Sequence, residues 1–126
     1  MAKFLIRLKL KKRDNVNIDV EKSKAFIFVE IFEYVPNSVV TKTIIKKSTG
    51  NVSAEAFDTG EGLGEKISPF DTFAQIIDGK AEIVIDGMSN FLNTGQSIII
   101  PAHTPNIIKA NERFKMISTI IKSGYE

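Results

Sequence analysis

The sequence predicts an all-β domain, either an antiparallel sandwich or a barrel. Short apolar runs follow one another from residue 39 onward, and turn sequences rich in Gly, Asn and Asp separate them. No long helical pattern follows residue 40, and the connections are too short for the crossover helices of a parallel sheet. The chain has 126 residues, 43% hydrophobic and 25% charged, which suits one globular domain.

The first 24 residues are predicted to form a basic arm and a polar connector, and residues 25–126 a single barrel domain. Residues 1–14 contain six basic residues and one acidic residue. Within them Ile6, Leu8 and Leu10 alternate with basic residues, as in an edge strand protected by lysines; a solvated arm is the alternative. Residues 25–35 fit either a helical face or a strand.

About eight strands are predicted in the domain. The clearest apolar runs cover residues 39–45, 52–57, 72–77, 81–85, 97–100, 107–109 and 114–121. Asp78-Gly79 and Asp86-Gly87 each follow such a run directly. Because Gly adopts a positive φ at little cost, both pairs predict hairpin turns.

Residue types that are rare or missing in the sequence exclude several kinds of site. There is no Cys, which excludes disulfides, thiolate metal sites and cysteine nucleophiles. His103 is the only histidine, so sites that need two imidazoles from one chain are excluded as well. No apolar run is long enough for a membrane span or a signal-peptide core. We therefore expect a cytoplasmic protein with no membrane partner.

The basic arm is weak evidence for a polyanionic partner, because charge alone is not specific. We expect no nucleic acid partner. The alternative is an interaction module whose arm contacts nucleic acid or a membrane. Deletion of residues 1–14 and binding measurements at two salt concentrations distinguish the two, since phosphate contacts weaken steeply with salt.

One segment resembles the first of the two motifs of the cupin superfamily. That motif reads Gly, five residues, His-x-His, three or four residues, Glu, six residues, Gly. Here Gly60 is followed at the same spacing by Lys66, Ser68, Thr72 and Gly79. The turn glycines and the spacing are kept, whereas the residues between them differ.

A later segment is similar to the second cupin motif, which reads Gly, five residues, Pro-x-Gly, two residues, His, three residues, Asn. Here Gly95 is followed by Pro101, by His103 at the position of the family's Gly, and by Asn106 at the position of its His. The resemblance covers residues 38–122. It implies a double-stranded β-helix (jelly-roll) barrel behind the N-terminal extension, with the site inside and a homodimer as the common assembly.

The family's metal ligands are all replaced. In metal-binding cupins the two His and the Glu of the first motif and the His of the second hold the metal. The matching residues here are Lys66, Ser68, Thr72 and Asn106. An ammonium group has no lone pair to offer, and hydroxyl and amide groups are weak ligands for Fe, Mn, Ni or Zn. We therefore expect no cofactor and no tightly bound metal.

These replaced positions are candidates for a ligand site. The resemblance places Lys66, Ser68, Thr72 and Asn106 at the opening of an apolar pocket, with His103 in the adjoining loop. Such a composition is typical of sites for a small polar or anionic molecule. The alternative is a filled barrel in which Lys66 reaches solvent and the other groups satisfy one another. No catalytic residue is assigned.

An enzyme is the second hypothesis. A small isomerase, epimerase or lyase would use His103 or Lys66 as its acid–base group. A weakly metal-dependent enzyme would recruit the metal through Asp71 and His103. Either version requires these side chains to converge on the barrel interior.

The last predicted strand is apolar on both faces, so its outer face needs a cover. A second subunit would provide one and give a twofold homodimer, which is the assembly we expect. Cover by the chain's own N-terminal segment is the alternative. Phe70, Phe73 and Phe91 are interpreted as core or dimer-interface residues.

Overall fold

The computed structural model describes residues 20–124, and within them it has eight strands, which confirms the all-β prediction. The strands are β1 Val39–Lys47, β2 Gly50–Phe57, β3 Gly62–Lys66, β4 Thr72–Ile85, β5 Met88–Asn93, β6 Ser97–Ile100, β7 Asn106–Lys109 and β8 Phe114–Ile121. The strand predicted in residues 1–14 lies outside the described residues. The domain boundary after residue 24 stays a prediction.

The long strand β4 joins two antiparallel sheets that curl into a barrel. Its first half pairs with β6 on one side and with β8 on the other, and β8 continues through β2 to β1 at the edge. Its second half pairs with β5 and β7, and β7 continues to β3. The inner faces of the two sheets therefore line one interior.

The predicted hairpin at Asp78-Gly79 is wrong. Both residues lie inside β4, where the register against β8 shifts between Ile76 and Asp78. Gly79 has a φ of +81°, and a Cβ at this position would collide with the carbonyl oxygen of Arg113. The glycine therefore serves an irregularity within β4, at the point where this strand passes from one sheet to the other, and not a turn.

Asp86-Gly87 does form its predicted hairpin. The two residues connect Ile85 of β4 to Met88 of β5, and these flanking residues are cross-strand partners. The φ angles of Asp86 and Gly87 are +51° and +82°. Positive values at both central residues are typical of the type I′ turn, whose twist matches that of the flanking strands.

Residues 25–35 form neither a helix face nor a strand; they contain one 3-10 turn at Phe28–Glu30. Phe32 is buried in a cluster with two alanines on the outer face of β2. The buried Lys115 of β8 donates hydrogen bonds to the carbonyl oxygens of Val29 and Phe32, each at 2.7 Å. The chain's own segment therefore covers part of the outer face of β8.

The barrel interior holds the main apolar core. Phe57 of β2 and Phe114 of β8 are fully buried and stack with their ring centroids 4.5 Å apart. Ile76 of β4 and Ile108 of β7 pack into the same cluster from the two sheets. This core fills one end of the interior and leaves the other end for polar side chains.

Candidate functional site

Within residues 20–124, five polar residues line the end of the barrel interior that the apolar core does not occupy. They come from four strands and are Ser53, Glu55, Thr72, Asn106 and Ser118, which we call the polar end. On β2 and β8 they alternate with outward-facing residues, and the facing serines of these two strands are cross-strand partners. Further along the same faces stand the residues of the apolar core.

Glu55 is the acidic member of the polar end. Its Oε1 accepts a hydrogen bond from the Ser118 hydroxyl at 3.1 Å. Burial raises the pKa of the Glu55 carboxyl above its usual range; the Ser118 hydrogen bond and the positive charge of Lys66 oppose this but are smaller effects. The carboxylate therefore carries a desolvation cost that its present partners do not remove.

Asn106 is the most buried member, with 3% of its surface exposed. Its Nδ2 donates to the carbonyl oxygens of Lys66 and Thr104, at 3.3 and 3.2 Å. Two carbonyl acceptors fix the orientation of the amide, because only the nitrogen can donate to them. The buried Oδ1 has no hydrogen-bond partner within the described structure. Asn106 thus presents an unused acceptor on the wall opposite β2.

Lys66 and Ser68 stand beside Asn106 but differ from the inward pair that the motif implies. Lys66 is the cross-strand partner of Asn106, and its side chain is exposed at the barrel rim after a register shift in β3. Ser68 is half-buried, and its hydroxyl accepts the backbone N–H of Phe70 at 3.1 Å. Ser68 is therefore engaged in a local turn, and Lys66 acts on the interior through its charge.

His103 lies in the loop before β7 and is exposed. Its φ is +60°, and its backbone N–H donates to the carbonyl oxygen of Ser68 at 2.6 Å. Nearby, Asp71 Oδ1 accepts the backbone N–H of Ala102 at 2.8 Å. The contacts that hold this loop are thus made by its backbone, while the imidazole stands in solvent.

The polar end does not fit the transition metal that the family motif would hold. Around the buried carboxylate of Glu55 stand hydroxyl and amide groups, which are weak ligands for such metals. Between residues 20 and 124, no group of three or more His, Cys, Asp or Glu side chains is placed to hold a metal ion. The donor set suits hydrogen bonding to an organic ligand.

Comparison with protein-family models gives no match, and comparison with curated protein sequences gives none. Solved structures do resemble the chain. A conserved protein of unknown function from Streptococcus pyogenes has a TM-score of 0.80 and 25% identity, over 89% of this chain and 97% of that one. A cupin 2 conserved barrel domain protein from Leptotrichia buccalis has a TM-score of 0.72 and 27% identity, over 75% and 46%. A cupin superfamily protein from Desulfitobacterium hafniense has a TM-score of 0.77 and 23% identity, over 82% and 95%.

The chain has the cupin fold. The polar end lies where the two segments that resemble the cupin motifs meet in the barrel, since Thr72 and Asn106 belong to those segments. The similar structures show the fold. The activity has to be inferred from the chemistry of the site. No helix in the described part of the chain is long and apolar enough to cross a membrane.

The cupin motifs do not include Glu55, and the sequence analysis missed it. A signal was present: in 53–57, Ser53, Glu55 and Phe57 share one strand face and the two alanines share the other. Since an all-alanine face packs well against another layer, a glutamate on the opposite face has to point into the barrel. Reading both faces of β2 would have identified the residue.

A second concavity lies outside the cupin barrel interior. It is an open groove of about 530 Å³ between residues 59–64 and 107–111. Its lining combines three glycines with side chains that include Glu61, Lys109 and Asn111. Among residues 20–124 no α-helix adjoins it to supply the N-terminal amides of a phosphate loop. This groove is open, whereas the polar end gathers buried side chains in the barrel interior.

Proposed function

We propose that this cupin domain binds a small polar or anionic molecule at the polar end of its barrel, with no catalytic step assigned. The observation that carries the proposal is the buried, unpartnered Oδ1 of Asn106. A buried acceptor without a partner costs about 1–3 kcal/mol, and native structures rarely leave one unused. A bound molecule that donates a hydrogen bond offsets this cost.

The surroundings of Asn106 support the proposal. An apolar floor with a few converging polar groups is the usual composition of a small-molecule site. Thr72 and Ser118 add hydroxyl groups that both donate and accept. Lys66 adds a positive charge at the rim, which favours a ligand with an anionic group.

The test is a titration of the ¹⁵N-labelled protein with small neutral polyols, carboxylates, phosphates and amines, followed by NMR. A binding compound is expected to shift the amide signals of Ser53, Thr72 and Asn106 in the wild type. The Asn106→Ala variant is expected to lose this response. Asn111→Ala is the matched control, because Asn111 is exposed and donates to a surface carboxylate. No response to any compound in the wild type refutes the proposal.

The enzyme hypothesis gains no support from the position of His103. General acid–base catalysis needs the imidazole within hydrogen-bond reach of a bound substrate in the site. His103 is exposed, and it is the backbone of its loop that contacts Ser68 and Asp71. Lys66 is exposed at the rim as well. Binding without assigned catalysis is therefore the function that we propose.

We also propose that the protein is a homodimer. The sheet formed by β1, β2, β8, the first half of β4 and β6 is called the first sheet. An apolar row crosses its outer face in register, from Ile45 through Val52, Thr119 and Phe73 to Ile99. Residues 28–34 cover the neighbouring part of the face, and the row lies beyond them. A twofold axis brings such a row against its own copy, so that a second chain buries it.

A cytoplasmic location without nucleic acid or membrane partners stays a prediction.

A further inference from the structure

We propose that the molecule bound at the polar end carries a primary ammonium group, whose N–H donors bind Asn106 Oδ1 and the Glu55 carboxylate. This inference rests on the proposed function and selects, among polar ligands, one with a cationic group. The two buried acceptors outweigh the exposed charge of Lys66, which by itself would favour an anionic group. The argument starts from the two acceptors that the protein itself leaves underused.

The first acceptor is Asn106 Oδ1. The amide nitrogen is occupied by two backbone carbonyl oxygens, so the side chain cannot rotate to offer a donor instead. Only a group with an N–H or O–H bond satisfies the remaining oxygen. An anionic ligand without a donor would place a second acceptor against the first and raise the cost of the site.

The second acceptor is the Glu55 carboxyl. The Ser118 hydroxyl donates to one of its oxygens, and an ionised carboxylate accepts several further hydrogen bonds. Its pKa is raised chiefly by burial, which means that the charged form lacks sufficient compensation. A cation arriving next to it supplies that compensation. An ammonium group is therefore favoured both by its charge and by its donors.

The two acceptors stand on opposite walls at the same end of the barrel. Glu55 is on β2 of one sheet and Asn106 on β7 of the other. Lys66, the cross-strand partner of Asn106, is close enough for its charge to act on Glu55. Because both side chains are on the inner faces of facing sheets, an ammonium group between them would direct its several N–H donors to both acceptors.

Lys66 does not fill this role itself. Its side chain is exposed at the rim, and its attraction is the smallest of the three effects on the pKa of Glu55. A flexible, hydrated ammonium on the surface contributes little to a buried carboxylate. The donor that we propose for Asn106 and Glu55 therefore comes from the ligand.

The test uses methylammonium, tetramethylammonium and acetate as probes in NMR titrations at constant ionic strength. Methylammonium is expected to shift the amide signals of Ser53, Glu55 and Asn106. Tetramethylammonium has the same charge but no N–H donor, so it is expected to leave these signals in place. The Glu55→Gln variant keeps the shape of the side chain and is expected to weaken methylammonium binding about tenfold or more, as the loss of one charge-assisted hydrogen bond does.

Glu82→Gln is the matched control, because Glu82 is a glutamate of β4 whose carboxylate binds Ser89 and Asn111 on the surface. This variant is expected to bind methylammonium as the wild type does. A response of the polar end to acetate or to a neutral polyol, with none to methylammonium, overturns the ammonium inference and leaves the proposed function standing. No response to any probe or to the wider compound set overturns both.

Discussion

Glu55 is an ionisable residue in the barrel interior, where burial disfavours its charged form. The residue lies inside the barrel on a strand whose other face packs against residues 28–34. Its hydrogen bond comes from Ser118, 63 residues away in the sequence. Because the pKa of the Glu55 carboxyl is raised in the folded state, the folded protein binds a proton more tightly than the unfolded chain does. The stability of the protein therefore depends on pH through this residue.

The direction of that dependence follows from proton linkage. Between the ordinary pKa of a glutamate and the raised pKa of Glu55, the native state holds more protons than the unfolded state. Stability then falls as pH rises through this window. We expect Glu55→Gln to remove this fall, so that the variant gains stability relative to the wild type as pH increases from 4 to 8. Urea unfolding followed by circular dichroism at several pH values measures the difference.

Glu82→Gln provides a control of opposite sign. Hydrogen bonds from Ser89 and Asn111 lower the pKa of the Glu82 carboxyl, so its contribution to stability is present at neutral pH and is lost as the carboxylate is protonated. The variant is therefore expected to lose stability relative to the wild type at pH 7 more than at pH 4. A Glu55→Gln variant that follows this same trend would contradict the assignment of Glu55 to the interior.

At the level of single residues, the sequence predicted the positions that a motif marks. Asn106 and Thr72 were identified because the turn glycines fix their place in the motifs. Glu55 was not, since no motif spans β2 and its burial depends on a long-range partner. The exposure of His103 was not predictable either, because loop backbone contacts, here to Ser68, decide which way a loop residue points.

Among the elements, β4 shows that one dipeptide signal has two structural outcomes. Asp78-Gly79 and Asp86-Gly87 are the same local sequence, but only the second ends a strand. The difference is that Gly79 pairs with Phe114 of β8, which continues the ladder past it. A local signal cannot reveal a partner strand that begins 35 residues later, so the sequence predicted two hairpins.

Substitution of Gly79 is expected to be far more damaging than substitution of Gly87. Both have a positive φ, near +81° and +82°, which strains any residue with a Cβ. At Gly87 an added Cβ meets no atom within 4 Å, whereas at Gly79 it collides with the carbonyl oxygen of Arg113, the residue before β8. We expect Gly87→Ala to cost about 1 kcal/mol of unfolding free energy and Gly79→Ala at least about 3 kcal/mol. Equal losses in urea unfolding would refute the close approach at Gly79.

Residues 28–34 are held to the barrel by a buried lysine, which explains why their sequence pattern was ambiguous. Lys115 donates to two carbonyl oxygens of this segment, and its Nζ lies 4.8 Å from the ring centroid of Phe32. The segment thus satisfies its backbone through a side chain of β8, with only one 3-10 turn of its own. Neither helical nor strand periodicity describes such an arrangement.

Lys115→Met keeps the aliphatic length of the side chain but removes the ammonium. The carbonyl oxygens of Val29 (partly buried) and Phe32 (buried) then lose their donor, and hydrogen bonds of charged donors contribute about 1.5–3 kcal/mol each. We expect a loss of about 2–4 kcal/mol in unfolding free energy, measured by urea denaturation. Lys109→Met is the control, because Lys109 is exposed on β7, and it is expected to change stability by less than about 0.5 kcal/mol. Similar losses in both variants would show that the segment is not held by Lys115.

At the scale of the whole molecule, the inner face of the first sheet is buried and its outer face is only partly buried. The inner face closes the barrel core, and residues 28–34 cover part of the outer face. The apolar row from Ile45 to Ile99 extends beyond this cover, with Phe73 42% and Ile99 62% exposed. The sequence predicted that the outer face of β8 needs a cover. It could not show which part of that face the chain's own segment covers, because this depends on where residues 28–34 lie.

The homodimer is tested by placing charge on the apolar row. Phe73→Lys and Ile99→Lys change neighbouring residues of β4 and β6 whose side chains point outward, so the fold is expected to remain. A lysine at either position would face its own copy across a twofold axis, and two desolvated like charges oppose association. We expect the wild type to sediment as a dimer at equilibrium and both variants as monomers. Phe91→Lys, which changes an exposed residue of β5 in the other sheet, is expected to remain dimeric. A wild type that stays monomeric at high concentration, or a Phe91→Lys variant that alone dissociates, would exclude this face as the interface.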